Sequence, residues 1–352
     1  MRALTQSWPA PSSPRPIVML GCGGIAQAAH LPAYTRLHFP VAGLFDVRPA
    51  AARAAAATFG IGRVYESLAD ACAAPGVVFD VAVPGDRTLE VLERLPQGAT
   101  VLMQKPMGAD LAQAAGIRAC VRSRGLTAAV NLQLRFSPGV LALRDLIDRG
   151  ALGALVDVDV RIVIDQPWQE WSFLKGVPRL ELPYHSIHYL DAIRWIAGEP
   201  RGVYCRAATH PELPAFRDTR SSIILDYGDR IRCSLVLNHT HRCGSRHYAS
   251  QLLVEGTGGA ARLTWGVNLA YPAGPPDTME VALQGGDWQP VPLRGSWFTE
   301  AFEGPMSNLQ RFAAGEDSQL VSSVDDALRT MAVVEACYTS SEGGGTPIPE
   351  TD

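Results

Sequence analysis

Apolar positions follow two rhythms along this chain. Up to residue 131 they come in short unbroken runs: Ile17–Leu20, Val41–Phe45, residues 77–83, Thr100–Met103 and residues 126–131. Unbroken runs of this length read as strands buried on both faces. Between them lie alanine-rich stretches with helix signals. Pro49 opens a predicted helix over 50–59, which Gly60 and Gly62 end. Ser67 is the expected cap of a short helix through Cys72, and Asp86 of a helix over 87–95. A further helix is predicted over 110–124, and Val64-Tyr65 as a short strand. Alternating strands and helices predict a parallel, doubly wound sheet, whose ligands bind beyond the carboxyl ends of the strands.

Past residue 150 the rhythm changes. Residues 154–164 read ALVDVDVRIVI, an alternation that marks a strand with one face exposed. Further strands are predicted over 202–208, 221–227, 230–238, 250–255 and 260–265, with Gly228-Asp229 as a hairpin turn. These make a mostly antiparallel, open-faced sheet. Ser137 caps a helix that precedes it, and helices over 299–314 and 324–340 follow. The expected organisation is a flexible arm over 1–15, a dinucleotide-binding domain over 16–133, a second α/β domain over 134–342 and a flexible Gly/Pro-rich tail over 343–352.

The first strand leads into Gly21-Cys22-Gly23-Gly24-Ile25-Ala26, a GxGxxA turn before a helix. Gly21 allows the tight turn, and Gly23 lets the backbone approach a pyrophosphate. Ala26 replaces the usual third glycine, and the unpaired N–H groups of the helix start, from Gly24 and Ile25 onward, face the phosphates. Asp46 closes the second strand about 20 residues beyond the turn, where a ribose-binding carboxylate is expected. A carboxylate there repels a 2′-phosphate and favours NAD, while the neighbouring Arg48 leaves NADP open. Cys22, inside the turn, is either a small filler or a thiol whose oxidation interferes with nucleotide binding.

Composition narrows the class. The 352 residues are 47% apolar and 19% charged, enough for two sizeable cores. A formal net charge of −4 argues against a nucleic-acid surface. No apolar run is long enough to span a bilayer, and the N-terminus lacks the pattern of a secretory signal. The seven cysteines include no CxxC pair, so scattered reduced thiols in a cytoplasmic protein are expected.

Candidate chemistry gathers at two places. Lys105 directly follows a buried strand and precedes Pro106, which holds it extended at the ligand edge of the sheet; Pro84, Gly85 and Asn131 lie at other such ends. An ammonium there either stabilises negative charge on a substrate oxygen or is a solvated loop lysine. The second place is ELPYHSIHYLD, residues 181–191. Tyr184 and His188 share a helix face, and Asp191 adjoins His188, so that the imidazole is oriented for proton transfer; His185 lies one step round. With His239 and His241 these residues contain metal-ligand types, but no zinc-like spacing, and no metal is expected. Trp168 and Trp171 either form a sugar-stacking wall or pack internally. Arg161, Lys175 and Arg179 read as surface charge.

From residue 16 to residue 340 the chain resembles the glucose-fructose oxidoreductase, inositol dehydrogenase and rhizopine-catabolism (Gfo/Idh/MocA) family. The resemblance rests on the GxGxxA turn, Asp46, Lys105-Pro106, NLQLRFSPGV at 131–140, His188-Tyr189-Leu190-Asp191, and NLQRFAAGE at 308–316. It implies a Rossmann domain followed by a substrate-binding α/β domain through whose sheet many members oligomerise, here as a homodimer or homotetramer. It also implies hydride transfer between a nicotinamide and a hydroxyl-bearing carbon of a sugar or cyclitol. Lys105 is similar to the family lysine at the reacting hydroxyl, and His188 to the histidine near the same carbon; Tyr184 and His185 complete the implied relay. The chain departs from the pattern at Gln104, usually glutamate, at Pro84-Gly85, often Pro-Asn, at Thr88, often histidine, and at Tyr184, often an acid. Gln104, Pro84 and Gly85 are implied at the cofactor; Asn131 and Trp168 are expected at the substrate. Other relatives cleave glycosidic bonds by transient oxidation, or bind the nucleotide as non-catalytic sensors.

Overall fold

The computed structural model describes residues 3–283 and 285–347. Strands β1 (Ile17–Leu20), β2 (Val41–Phe45), β3 (Val78–Val81), β4 (Thr100–Met103) and β5 (Thr127–Val130) form a parallel sheet in the order β2-β1-β3-β4-β5. Every residue of β1, β3 and β4 is buried. That is why these runs are unbroken: a strand covered on both faces has no solvent-facing position for a polar side chain. Strand order reverses between β1 and β3, so the glycine turn after β1 opens at the switch point where dinucleotides bind. Val64 contributes only an isolated bridge to Leu44. Ser67, Asp110 and Ser137 accept hydrogen bonds from the backbone N–H groups of Asp70, Gln113 and Val140, the capping expected of them. Asp86 caps nothing, because it lies inside a 3-10 turn, Gly85–Arg87, that precedes the short helix Thr88–Leu92.

The second sheet comprises β6 (Leu155–Val163), β7 (Gly202–Ala208), β8 (Arg220–Asp226), β9 (Arg232–Asn238), β10 (Ala249–Gly256), β11 (Gly259–Thr264), β12 (Thr278–Leu283) and β13 (Gln289–Val291). Its order is β13-β12-β11-β10-β6-β9-β8-β7, antiparallel except for the β6–β9 pair. Alternation along β9 buries Cys233, Leu235 and Leu237 and exposes Val236. Helices Pro138–Asp148, Ile187–Ala197 and Val324–Gly343 cover the inner face. β12 and β13 were not expected; they flank short Gly/Pro-rich segments that interrupt the periodic signal.

Three boundaries differ from expectation. Helix Glu303–Ala313 returns to the first domain, packs on β4 and β5, and buries Met306 and Leu309 beside Ile17, Met19 and Leu44. Residues 3–15 lie along the surface rather than loose: Thr5 N–H donates to Asp145, Trp8 Nε1 to Asp317, and Arg15 to Val77 O and Thr100. Gly343, expected in the tail, ends the closing helix, and residues 348–352 of that tail lie outside the described residues. Among the described residues no helix is long and apolar enough to cross a membrane. All seven cysteines are free thiols.

Candidate active site

The glycine turn has the shape its sequence demands. Gly21 has φ +103°, and a Cβ there would lie 2.5 Å from Ala82 O, so only glycine fits. A Cβ at Gly23 or Gly24 would meet nothing within 4 Å, so the space over the turn is open. Ala26 is fully buried where helix meets sheet, and Ile25 packs with Ala29, Ala33 and Phe302. Asp46 accepts from Cys22 N–H and Arg48 N–H, both at 2.8 Å, and Arg48 Nε lies 3.5 Å from it. The carboxylate thus ties the turn to the end of β2. Burial, with Asp46 and Asp80 nearby, pushes the Cys22 thiol far up, so it is a filler and not a reactive group.

Beyond β4 lies a buried polar network that sequence reading did not find. Gln104 Oε1 accepts from Lys105 N–H at 2.7 Å, and its amide nitrogen lies 2.9 Å from His30 Nε2. Asn131 Nδ2 is 3.1 Å from the same nitrogen, while His30 Nδ1 and Tyr34 OH meet Asp80 Oδ2 at 2.7 and 2.6 Å. Two amide donors on Nε2 make it the acceptor, so Nδ1 carries the proton and donates it to Asp80. Gln104 is thereby explained: a carboxylate in its place could not donate to that nitrogen. Gln104 and Asn131, expected at cofactor and substrate, are committed through their side chains to His30. The available signals were an aspartate within an apolar run and a His/Tyr pair four residues apart. Gly85 also has a packing reason, since a Cβ there would lie 2.9 Å from Pro106 O.

Lys105 Nζ donates to the backbone carbonyl of Tyr184, which sits in a π-helical turn, Leu182–Ser186, ahead of helix Ile187–Ala197. Such turns recur at functional sites. Burial lowers the lysine's pKa to about 8. His188 is buried; its Nε2 lies 3.4 Å from Gln133 Nε2 and its ring 5.4 Å from that of Trp297. Burial, then Lys105, holds this imidazole well below its ordinary pKa. Tyr184 is half-buried, with its ring against Phe173.

The expected His188–Asp191 partnership is not formed. Asp191 instead receives two hydrogen bonds at 2.6 Å from Arg135 and one at 2.6 Å from Thr330. Arg135 is itself buried, and a buried guanidinium requires a carboxylate more urgently than a neutral imidazole does.

His185 has a different partner. Its Nδ1 lies 3.1 Å from His239 Nε2, and His239 Nδ1 lies 3.3 Å from Glu181 Oε1. Trp168 is buried, donates from Nε1 to His239 O, and packs edge-on against both histidines. It is therefore a buttress and not an open stacking wall. The ligand-type residues weighed in sequence do not converge as one set: His241 turns toward Tyr248, and Asp191 faces Arg135. Glu181, His185 and His239 do converge, with donor atoms within 4.8 Å of one another.

Comparison with known proteins supplies the family. Residues 15–132 match the oxidoreductase family with an NAD-binding Rossmann fold, and residues 140–262 match the GFO/IDH/MocA C-terminal domain. The chain belongs to the Gfo/Idh/MocA oxidoreductases. It is 26% identical over 349 residues to D-apiose dehydrogenase of Paraburkholderia graminis, covering 93% of this chain and 88% of that protein. It is 29% identical over 335 residues to dTDP-3,4-didehydro-2,6-dideoxy-α-D-glucose 3-reductase of Streptomyces violaceoruber, covering 94% and 87%. The solved aldose-aldose oxidoreductase of Caulobacter crescentus, complexed with glycerol, superposes with a TM-score of 0.80 at 20% identity, over 95% of this chain and 99% of that one.

As a Gfo/Idh/MocA oxidoreductase the chain uses a nicotinamide dinucleotide, and its residues fit one. The cradle over Gly23 and Gly24 is open, the helix start presents N–H groups to it, and Asp46 stands at the end of β2 beside it.

Proposed function

We propose that this oxidoreductase transfers hydride between NAD(P) and a hydroxyl-bearing carbon of a sugar, sugar derivative or cyclitol. The observation that carries the reading is Lys105, whose ammonium is held beyond the end of β4 by the Tyr184 carbonyl and lies near the imidazoles of His185 and His188, which it helps to keep neutral. The nicotinamide, when bound, accepts or returns the hydride. Lys105 donates a hydrogen bond to the substrate oxygen and stabilises the charge that develops as the alcohol is oxidised. His185, His188 or Tyr184 moves the hydroxyl proton. Asp46 favours NAD over NADP by repelling a 2′-phosphate. The relatives named above, which act on apiose and on a deoxy-keto sugar, support the substrate class. The outer face of the second sheet exposes Val156, Tyr204, Ile224 and Val236, an apolar patch suited to a homodimer or homotetramer contact. Sedimentation velocity on wild type and Ile224→Asp tests that contact: an oligomer that the substitution dissociates supports it, and a wild-type monomer refutes it.

NADH formation with a panel of aldoses, deoxy sugars and inositols tests the activity. Turnover with at least one sugar or cyclitol is expected. Bond cleavage without net NADH, or no turnover with any member of the panel, would contradict it.

A further inference from the structure

Glu181, His185 and His239 each offer a donor atom within 4.8 Å of the other two. They come from two parts of the chain. Glu181 and His185 are four residues apart across the π-helical turn Leu182–Ser186, and His239 directly follows β9. Glu181 and His239 are fully buried, and His185 is partly exposed. Their polar atoms are incompletely used. His239 Nδ1 lies 3.3 Å from Glu181 Oε1 without hydrogen-bond geometry, and neither His239 Nδ1 nor Glu181 Oε2 has a hydrogen-bond partner among the described residues.

Neither tautomer of His239 repairs this. With the proton on Nε2, which faces His185 Nδ1 at 3.1 Å, Nδ1 is a bare lone pair beside a carboxylate. With the proton on Nδ1, a buried N–H has no acceptor. Both arrangements are costly for groups out of reach of water. A cation between them removes the cost, because the lone pair and the carboxylate then both become ligands. The spacing also fits: two adjacent ligands of a tetrahedral ion, with bonds of about 2.0–2.2 Å, stand roughly 3.3–3.5 Å apart.

We propose that Glu181, His185 and His239 bind a divalent transition-metal ion, with zinc the ion that two imidazoles and one carboxylate suit best. His239 ligates through Nδ1, Glu181 through its carboxylate and His185 through a ring nitrogen. The supports are in place: the Ser186 hydroxyl donates to Glu181 Oε1, and Trp168 Nε1 donates to the backbone carbonyl of His239. Three protein ligands leave a further position for water or a substrate oxygen. The ion enters from the side of His185, the one ligand with exposed surface. Lys105 adds positive charge near His185, so affinity depends most on the Glu181 carboxylate. On the hydride-transfer reading, a bound ion occupies His185 and leaves Tyr184 and His188 to move the proton; the site itself does not depend on that reading.

The test strips the full-length protein with a chelator and adds zinc back, without cofactor or substrate, followed by calorimetry; cobalt serves as a spectroscopic stand-in. One equivalent of zinc per chain should bind with sub-micromolar affinity. Cobalt should give the ligand-field bands of a four- or five-coordinate site with no thiolate-to-metal charge transfer. Glu181→Gln and His239→Ala should each weaken binding by about 100-fold or more. His185→Ala, at the exposed edge of the cluster, should do the same and serves if the buried variants fail to fold. His241→Ala and Cys243→Ser, outside the cluster, should leave binding unchanged. No stoichiometric binding by the wild type, thiolate charge transfer, or binding that survives the cluster variants overturns the site and leaves the hydride-transfer reading intact. Zinc binding as described in a protein that forms no NADH with any sugar or cyclitol supports the site and counts against that reading alone.

Discussion

Two carboxylate–imidazole sets lie one in each domain, and they are built differently. In the Rossmann domain, His30 has every nitrogen satisfied: Asp80 takes its Nδ1 proton, and Gln104 and Asn131 donate to Nε2. Tyr34 adds a second donor to Asp80. Through Gln104, which accepts from Lys105 N–H, the network fixes the backbone from which Lys105 projects. In the second domain, His185 Nδ1 meets His239 Nε2, while His239 Nδ1 lies 3.3 Å from Glu181 Oε1 without hydrogen-bond geometry, and neither His239 Nδ1 nor Glu181 Oε2 has a hydrogen-bond partner among the described residues. Each set leaves one carboxylate oxygen without a hydrogen-bond partner, Asp80 Oδ1 in the first and Glu181 Oε2 in the second. The two differ at the histidine: both nitrogens of His30 are hydrogen-bonded, whereas His239 Nδ1 is not.

Stability measurements can break this comparison. The largest effect belongs to a third network, Arg135 with Asp191. Arg135→Met removes two charge-assisted hydrogen bonds from a buried carboxylate, leaving it only Thr330 and the more distant Arg194, and should cost about 3–5 kcal/mol, read as a large fall in melting temperature. Asp80→Asn should cost about 1–3 kcal/mol, because His30 and Tyr34 lose the carboxylate oxygen that accepts from both. In metal-free protein, Glu181→Gln should have a pH-dependent effect. A carboxyl whose folded pKa is raised, here from 4.5 to about 8, binds more protons folded than unfolded, so its contribution to stability declines as pH rises through that window. The variant's melting temperature relative to wild type should therefore climb from pH 5 to pH 8. A constant difference would mean that Glu181 does not titrate in this window.

The first domain was legible because its strands are covered on both faces and its caps act within a few residues. Ser67, Asp110 and Ser137 do what their neighbours in sequence require. The glycine turn was legible for the same reason, since Gly21 answers to a backbone only one strand away. Helix Glu303–Ala313 was visible as a helix, yet nothing in its spacing says that it docks on the first sheet. The same limit applied within the site. Helical spacing put Asp191 beside His188, but Arg135, 56 residues away in sequence, claimed it. Glu181 and His239 are also far apart in the chain, and only the packing of the π-helical turn against the end of β9 joins them. Lys105 was found because it needs no distant partner to be conspicuous: a buried strand, a lysine and a proline suffice.

Lys105 is therefore where the account is most exposed. Single-turnover hydride transfer should be measured for wild type and Lys105→Ala with a sugar that the wild type oxidises, with NADH affinity determined on the same samples. The account predicts a rate lower by about 100- to 1,000-fold with NADH affinity unchanged. A near-wild-type rate in the variant would contradict it.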